Sequence, residues 1–297
     1  MKKILIASIS ILYLVTTAHA GRIKVLTSYP YIADIVQKIG KEHVRVHYLA
    51  RGNWDPHTVI PRPSFIAKVR RADLLIINGG QLEIGYLPPI LKQANNADVF
   101  PGRKGFLDLS SSITMIDVPR SVSRAQGDMH PDGNPHYYLD PHNIPPLAKA
   151  ITKKLCELDY HNASNYRNNQ SVFLNKWNSK LAEWDRKLKS LRGISVVEYH
   201  KNFDYLLRRY GIKLVGTVEP LPGIPPTSRH METISQIIAR HSVKFIIHDV
   251  YHPERASKLL AKKHNIRMVV LPHDVGATNE AEGIFSLFDE IVRRLSQ

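Results

Sequence analysis

The chain has 297 residues, of which 43% are hydrophobic and 8% aromatic, as expected for a globular protein with a core of normal size. Its net charge of +15 comes from basic residues scattered along the chain, so solvated positive faces are favoured over nucleic-acid binding. Cys156 is the only cysteine, which excludes an intramolecular disulfide and any metal site built from several thiolates.

The first twenty residues have the pattern of a secretory signal peptide. Two lysines follow Met1, an apolar run covers 4–15, and the segment ends in Ala18-His19-Ala20. The run is shorter than the roughly 20 apolar residues that span a membrane, and the lysines and cleavage pattern disfavour a buried N-terminal helix. Because no cysteine lies near the cleavage point, we expect a freely soluble periplasmic protein without a lipid anchor. Removal of this segment leaves 277 residues with a net charge of +13, enough for two domains.

The first half of the mature chain alternates between strand and helix patterns. Strands are predicted at 23–27, 44–49, 74–77 and 113–116, and helices at 32–39 and 64–71. Ser64 is the expected cap of the second helix. The continuous apolar run at 74–77 is typical of a parallel strand buried on both faces. A polar segment with Gly and Pro at 121–135 is predicted to be a mobile loop.

The middle of the chain is helical. One helix is predicted over 143–158 and a second over 163–191, where large apolar and aromatic residues recur at helical spacing. The second helix would be about 43 Å long, enough to cross a whole domain. Its two tryptophans lie on one stripe, which indicates packing against both halves of the protein.

The last third alternates again and completes the predicted fold. Strands are expected at 195–198, 213–216, 244–248 and 267–271, and helices at 202–210, 229–241, 253–264 and 280–295. Strand–helix alternation predicts parallel sheets with crossover helices. The fold class is therefore α/β, with two lobes, each a parallel sheet flanked by helices, joined by one long helix. We place the lobes at 21–158 and 193–297 and the linking helix at 159–192.

Three of the fifteen histidines have contexts that suggest a binding site. Six others lie on strand or helix patterns and are interpreted as structural: His43, His47, His161, His230, His241 and His264. His57 and His200 follow predicted strands, where open α/β sheets bind ligands, and His136 follows the predicted loop. Neutral imidazole is a good zinc ligand, although these three form no local pair of the His-Glu-x-x-His kind.

Motifs of one protein family occur in order along the mature chain. They cover residues 26–34, 55–57 with 63–64 and 72–79, 135–141, 199–211 and 219–226. With these motifs the chain resembles the periplasmic zinc- and manganese-binding proteins of ABC importers, the solute-binding family with a rigid interlobe helix. The resemblance implies that His57, His136 and His200 bind the metal, two from the first lobe and one from the second. It also implies delivery of the ion to an inner-membrane ABC permease.

The fourth ligand is left open between two neighbouring residues and water. The family often supplies an Asp just after the last strand of the second lobe, where this chain has Pro272-His273-Asp274. A gap-free match puts His273 at that position, whereas the charge of a divalent ion favours Asp274. Pro272 favours an extended backbone before it, and in an extended segment adjacent side chains point in opposite directions, so only one of them can face the ion. We favour Asp274.

Two further family features affect the predicted mechanism. Many zinc-binding members carry a long metal-binding insert before the residue matching His136, whereas 121–135 is short and offers only His130, which argues against auxiliary metal scavenging. A metal bound by both lobes would stabilise the arrangement that it bridges. Since a long helix resists hinge motion, loading and release are expected to depend on local shifts of loop 121–135.

Zinc is the predicted metal, with manganese or iron as the alternative. Three imidazoles and one further ligand suit tetrahedral zinc, whereas manganese prefers more carboxylate oxygen. A zinc hydrolase is the competing class, and it would need an open coordination position and a base, for which Glu198 is the nearest candidate. Surface adhesion is a third class. We predict a monomeric binding protein that is not an enzyme.

Overall fold

The computed structural model describes residues 21–119 and 130–297. The predicted signal peptide at 1–20, and the part of the predicted mobile loop up to residue 129, lie outside these residues. Within the described ranges, no helix is long and apolar enough to cross a bilayer.

Residues 21–119 and 130–297 contain two parallel sheets of four strands each. The strands of the first sheet are β1 (Ile23–Thr27), β2 (Val44–Tyr48), β3 (Leu74–Ile77) and β4 (Phe106–Asp108). Those of the second are β5 (Ser195–Glu198), β6 (Lys213–Thr217), β7 (Phe245–Asp249) and β8 (Arg267–Leu271). Their orders, β2-β1-β3-β4 and β6-β5-β7-β8, are equivalent. The strand order reverses beside β1 and beside β5, which is where such sheets bind ligands.

Helices connect the strands and flank both sheets. They are α1 (Pro30–Gly40), α2 (Pro63–Arg70), α3 (Leu87–Ala94), α4 (Ile144–Leu158), α5 (Ala163–Leu188), α6 (Asp204–Tyr210), α7 (Ser228–Arg240), α8 (Arg255–His264) and α9 (Ile284–Leu295). The first four each have a proline within their first two positions, where its fixed φ suits the helix and its missing N–H is not needed. The predicted fold class is confirmed.

The prediction of a strand at 113–116 was wrong. The strand that pairs with β3 on the side away from β1 is β4, which lies earlier in the chain than residue 113. The backbone of Ile116 is used elsewhere: its N–H donates to the Tyr205 hydroxyl at 3.0 Å, and its carbonyl accepts from the Asn134 N–H at 2.8 Å. The segment is therefore held by Tyr205 of the second lobe and by Asn134 instead of extending the sheet.

The predicted cap of α2 was also wrong. The helix begins at Pro63, so the cap position belongs to Arg62, which makes no side-chain capping hydrogen bond. Ser64 lies inside the first turn. Proline at the first helical position sets the backbone angle that a helix requires, and here it determines the helix start.

The long helix α5 packs against both lobes, as predicted. It has 26 residues and is therefore about 39 Å long. Trp177 and Trp184 are fully buried, and each ring lies 5.4 Å from the Phe288 ring of α9. The Trp177 indole N–H donates to the Pro141 carbonyl at 3.0 Å. The helix therefore connects the segment before α4 with the C-terminal helix.

The proposed division into 21–158, 159–192 and 193–297 stays a prediction. Each sheet falls within one of the two outer ranges, and α5 falls within the middle one. One hydrophobic cluster nevertheless includes residues of both sheets and of α5, so the lobes share much of their core.

The lobes meet where the carboxyl ends of their strands face each other. The Tyr31 N–H of α1 donates to Asp274 Oδ1 at 2.8 Å, across the interlobe boundary. Gly52, in the loop after β2, lies so close to Val275 that a Cβ would be 1.9 Å from the Val275 carbonyl oxygen. Only glycine permits this approach of two backbones.

Candidate metal centre

Three histidines from separate loops come together between the lobes. His57 lies in the loop after β2, His136 immediately precedes a short 3-10 turn (Tyr137–Leu139), and His200 follows β5 by two residues. One donor nitrogen from each ring lies within 4.8 Å of the other two. The ring centroids are 5.0 Å apart for His57–His136 and His57–His200, and 5.5 Å apart for His136–His200. The sequence analysis singled out these same three histidines.

The dimensions of this cluster suit one small transition-metal ion. Zinc binds imidazole nitrogen at about 2.0–2.1 Å, which places the donors of a tetrahedral shell roughly 3.3 Å apart. The rings therefore need to turn only slightly to reach a common ion. A cavity of about 130 Å³ borders the cluster and is lined in part by His136 and His200.

Carboxylates hold two of the three rings. Glu219 Oε2 lies 2.6 Å from His200 Nδ1, and Asp55 Oδ1 lies 3.1 Å from His57 Nδ1. A carboxylate at Nδ1 favours the tautomer with the proton on that atom, so Nε2 is left as the donor to a metal. Burial opposes ionisation of Asp55, but hydrogen bonds from the His57 ring and backbone N–H outweigh it and hold the pKa of Asp55 well below its usual range.

The third ring has a different environment. His136 is 1% exposed, and neither of its ring nitrogens has a hydrogen-bond partner among the described residues. Burial first, and then the proximity of His57 and His200, lower the pKa of His136 well below its ordinary value. The imidazole is therefore neutral at physiological pH, which is the form that binds a metal.

The two residues predicted as alternative fourth ligands follow β8, and both are 2% exposed. Neither belongs to the group of donors within 4.8 Å of one another. Among the described residues, the N–H groups of Tyr31 and Val275 donate to the Asp274 carboxylate, and both donate to Oδ1. His273 Nε2 lies 3.0 Å from the Trp54 carbonyl, and His273 Nδ1 has no partner in the described ranges.

Comparison with known proteins identifies the family. Residues 25–297 match the profile of the family described as zinc-uptake complex component A, periplasmic. The chain belongs to this family. The resemblance stated from its motifs is therefore confirmed.

Relatives of the zinc-uptake component A family differ in the metal that their names give. The chain is 26% identical over 260 residues to FimA of Streptococcus parasanguinis, a metal ABC transporter substrate-binding lipoprotein, covering 84% of this chain and 80% of FimA. It is 25% identical over 258 residues to the manganese ABC transporter substrate-binding lipoprotein PsaA of Streptococcus pneumoniae, covering 84% and 79%. The zinc-binding protein AdcA of Streptococcus pyogenes is 19% identical over 268 residues, covering 88% of this chain and 52% of AdcA.

Solved structures of two other proteins share the fold. A crystal structure of ZnuA superposes with a TM-score of 0.74 at 19% identity, over 93% of this chain and 98% of that one. The cadmium-bound periplasmic metal-binding protein of Candidatus Liberibacter asiaticus gives a TM-score of 0.77 at 22% identity, with the same coverage.

Several residues at the centre were missed by the sequence analysis. Asp55 and Glu219 lie within the quoted family motifs, but the analysis gave them no role as partners of His57 and His200. An acid two residues before a histidine was the available signal for Asp55. Glu219 is 19 residues from His200, and only the pairing of β5 with β6 brings them together.

His130 lies beside the cluster of His57, His136 and His200. Its ring centroid lies 5.3 Å from that of His57, and it lines the same cavity as His136 and His200. Burial, with a smaller effect of His57 and His200, lowers the pKa of His130 to about 3. The prediction that its loop does not scavenge additional metal is untested.

Proposed function

We propose that this protein captures one divalent transition-metal ion between its lobes and delivers it to an inner-membrane ABC permease. The observation that carries the proposal is the group of three imidazoles, contributed by both lobes, whose donor atoms lie within 4.8 Å of one another. Membership in a family of periplasmic metal-uptake components supports the same function. In this proposal His57, His136 and His200 are ligands.

Zinc is the metal that we propose, with manganese as the alternative. The donor group found among the described residues contains only nitrogen. Nitrogen donors suit zinc, whereas manganese prefers sites richer in oxygen. The names of the relatives include both metals, so the donor set is the stronger argument for this chain.

Asp274 remains our proposed fourth ligand, ahead of His273 and water. Three neutral imidazoles leave the charge of a divalent ion uncompensated in a buried site, and a carboxylate would neutralise part of it. Because the two backbone donors use Oδ1, Asp274 Oδ2 is the oxygen left for an ion. Since Asp274 does not belong to the group of donors within 4.8 Å of one another, its loop would have to move toward the histidines.

We propose binding without catalysis. A zinc hydrolase would need a base beside the metal, and Glu198 was the nearest candidate. Glu198 is fully buried within the second lobe, and burial raises its pKa well above the usual range. A carboxyl group that is closed off from solvent, and whose charged form is disfavoured by burial, is poorly placed to act as a general base.

We also propose export with cleavage after Ala20, followed by action as a free monomer. FimA and PsaA are named as lipoproteins. Here the only cysteine is Cys156, which lies in α4. Mass spectrometry of protein recovered from the periplasm tests this point: a mature chain that starts at Gly21 without added lipid is expected, and a lipid-modified chain would overturn it.

Calorimetric titration of the metal-free protein tests the main proposal. One zinc ion is expected to bind per chain, more tightly than manganese does, and to raise the melting temperature of the protein. A ligand bound only by the folded state stabilises it by about 4 kcal/mol at a thousandfold excess over Kd. Absence of binding by either metal would overturn the proposed function, and tighter binding of manganese would reverse the choice of metal.

A further inference from the structure

The three proposed ligands are oriented in two different ways. The rings of His57 and His200 are held by Asp55 and Glu219. The ring of His136 has no hydrogen-bond partner within the described ranges. Its direction must therefore be set by the backbone that carries it and by packing.

Two asparagine side chains hold the peptide group that joins Pro135 to His136. Asn78 Nδ2 donates to the Pro135 carbonyl at 3.1 Å, and the His136 N–H donates to Asn134 Oδ1 at 2.9 Å. The carbonyl and the N–H of one planar peptide unit are thus both bound by carboxamides. Because the peptide unit is rigid, fixing both of its polar groups fixes the position of the His136 Cα, from which the side chain extends toward the cluster.

Asn78 is anchored in the first lobe. It is fully buried, its Oδ1 accepts from the Tyr31 hydroxyl at 2.7 Å, and its Nδ2 also donates to the Gly79 carbonyl at 3.0 Å. Tyr31 in turn donates its backbone N–H to Asp274. Tyr31 and Asn78 therefore link the proposed fourth ligand to the peptide group that precedes His136.

Asn134 belongs to the first lobe but is held by hydrogen bonds to the second. Its Nδ2 donates to the Lys201 carbonyl at 2.9 Å, one residue beyond His200. Its own carbonyl accepts from the Tyr205 hydroxyl at 2.8 Å. Asn134 is 9% exposed. Its carboxamide oxygen accepts from the His136 N–H, and its carboxamide nitrogen donates to the carbonyl of Lys201, next to His200.

We propose that Asn78 and Asn134 are positioning residues for metal binding, which hold the His136 imidazole at the distance from His57 and His200 that one ion requires. The inference rests on the proposed function, since it assigns a role within that site. Neither asparagine contacts the ion. Residues that orient a metal ligand typically account for 10–100-fold in affinity, although they make no bond to the metal.

A purely structural role is the competing explanation, and a third asparagine provides the control. Asn169 in α5 is 7% exposed and donates through Nδ2 to the Ile39 carbonyl at 2.9 Å. It thus has the residue type, burial and kind of contact of the two positioning residues, but it lies in α5, outside the metal cluster. Asn169→Ala should lower the melting temperature of the metal-free protein without changing metal affinity.

The experiment compares Asn134→Ala, Asn78→Ala and Asn169→Ala. Zinc affinity is measured by competition with a chelator, the visible spectrum of the cobalt-loaded protein reports the ligand geometry, and the melting temperature of the metal-free protein reports folding. We expect the first two variants to bind zinc about 10–100-fold more weakly and to change the cobalt spectrum. If Asn78→Ala does not fold, the zinc affinity and cobalt spectrum of Asn134→Ala alone test the positioning role.

The same substitution in a His136→Ala background separates positioning from general destabilisation. If Asn134 acts through His136, Asn134→Ala should cause little further loss of affinity there, since residues that act as a unit are not additive. Equal losses in both backgrounds, or a wild-type affinity and cobalt spectrum for Asn134→Ala, would overturn the positioning role alone. A wild-type protein that binds neither zinc nor cobalt would overturn the proposed function and this inference together.

Discussion

Glu219 Oε2 lies 2.6 Å from His200 Nδ1, and both side chains are buried, with 4% and 8% of their surfaces exposed. The second oxygen of Glu219 accepts from the Gly223 N–H, so the carboxylate is itself held in place. This pair fixes the tautomer and the direction of the His200 ring before a metal arrives. The loop after β6 therefore takes part in the proposed metal centre although it supplies no proposed ligand.

Replacement of Glu219 should weaken zinc binding without unfolding the protein. We expect Glu219→Ala to lower affinity about 10–100-fold, since the ring loses the partner that orients it. Glu219→Gln should lose less, because a carboxamide oxygen can still accept the hydrogen bond from Nδ1. Chelator competition measures both, with Glu254→Gln on the partly exposed start of α8 as the control. Equal affinities for wild type and Glu219→Ala would contradict this role.

Loss of any one imidazole should have a larger effect. We expect His57→Ala, His136→Ala and His200→Ala each to weaken zinc binding by more than the ~100-fold typical of a residue that only orients a ligand. The metal-free variants should keep their circular dichroism spectra, since all three residues lie in loops. His161→Ala, in the exposed turn before α5, is the matched control. Wild-type affinity in all three variants would refute the ligand assignment.

The fourth ligand can be identified by comparing Asp274→Asn with His273→Gln, each of which keeps a polar side chain. Asp274→Asn keeps an oxygen that can accept from the Tyr31 N–H but removes the charge, so we expect a much larger loss of zinc affinity than for His273→Gln. The reverse order in calorimetric titrations would assign the position to His273. Unchanged affinity in both variants would leave water as the fourth ligand.

Glu83 should make the stability of the metal-free protein depend on pH. Burial outweighs its hydrogen bonds from the Asn78 and Gly79 N–H groups and raises the pKa of Glu83 from 4.5 to about 7. The folded state therefore holds this proton more tightly than the unfolded chain. Its contribution to stability is complete below about pH 4.5 and is lost as the pH rises through about 7.

Urea unfolding at about pH 5 and about pH 8 measures this effect. The wild type should lose more unfolding free energy between the two values than Glu83→Gln, whose side chain stays neutral. Glu290→Gln is the control, because hydrogen bonds from Arg293 hold the pKa of Glu290 far below this range. Parallel pH dependences for wild type and Glu83→Gln would show that Glu83 ionises normally.

Most of the fold could be predicted because strand–helix alternation and apolar runs report local structure directly. The run Leu74–Ile77 is a strand buried on both faces, as its composition indicated. The apolar residues at 113–116 misled the prediction because the Ile116 N–H bonds to Tyr205 of the other lobe and not to a neighbouring strand. Tyr205 is 89 residues from Ile116, and no local pattern reports such a contact.

The proposed metal centre could be predicted only in part, because local patterns report its histidines but not the residues that hold them. His57, His136 and His200 stand out because each lies in a loop with family motifs around it. Their partners do not stand out, since an asparagine that holds a peptide group resembles any other buried asparagine in sequence. The roles of Asn78 and Asn134 depend on contacts that are distant in sequence. Asn78 is 57 positions from Pro135, and Asn134 is 67 positions from Lys201.

The aromatic packing of α5 has a consequence for how a loaded molecule is recognised. A swing of one lobe against the other would disturb the core that both lobes share with α5, including the packing of Trp177 and Trp184 against Phe288. We therefore expect the outline of the protein to be nearly the same with and without an ion. A permease that accepts only loaded molecules therefore cannot rely on their overall dimensions. It has to distinguish a filled cleft from an empty one by the positions of a few side chains at its rim.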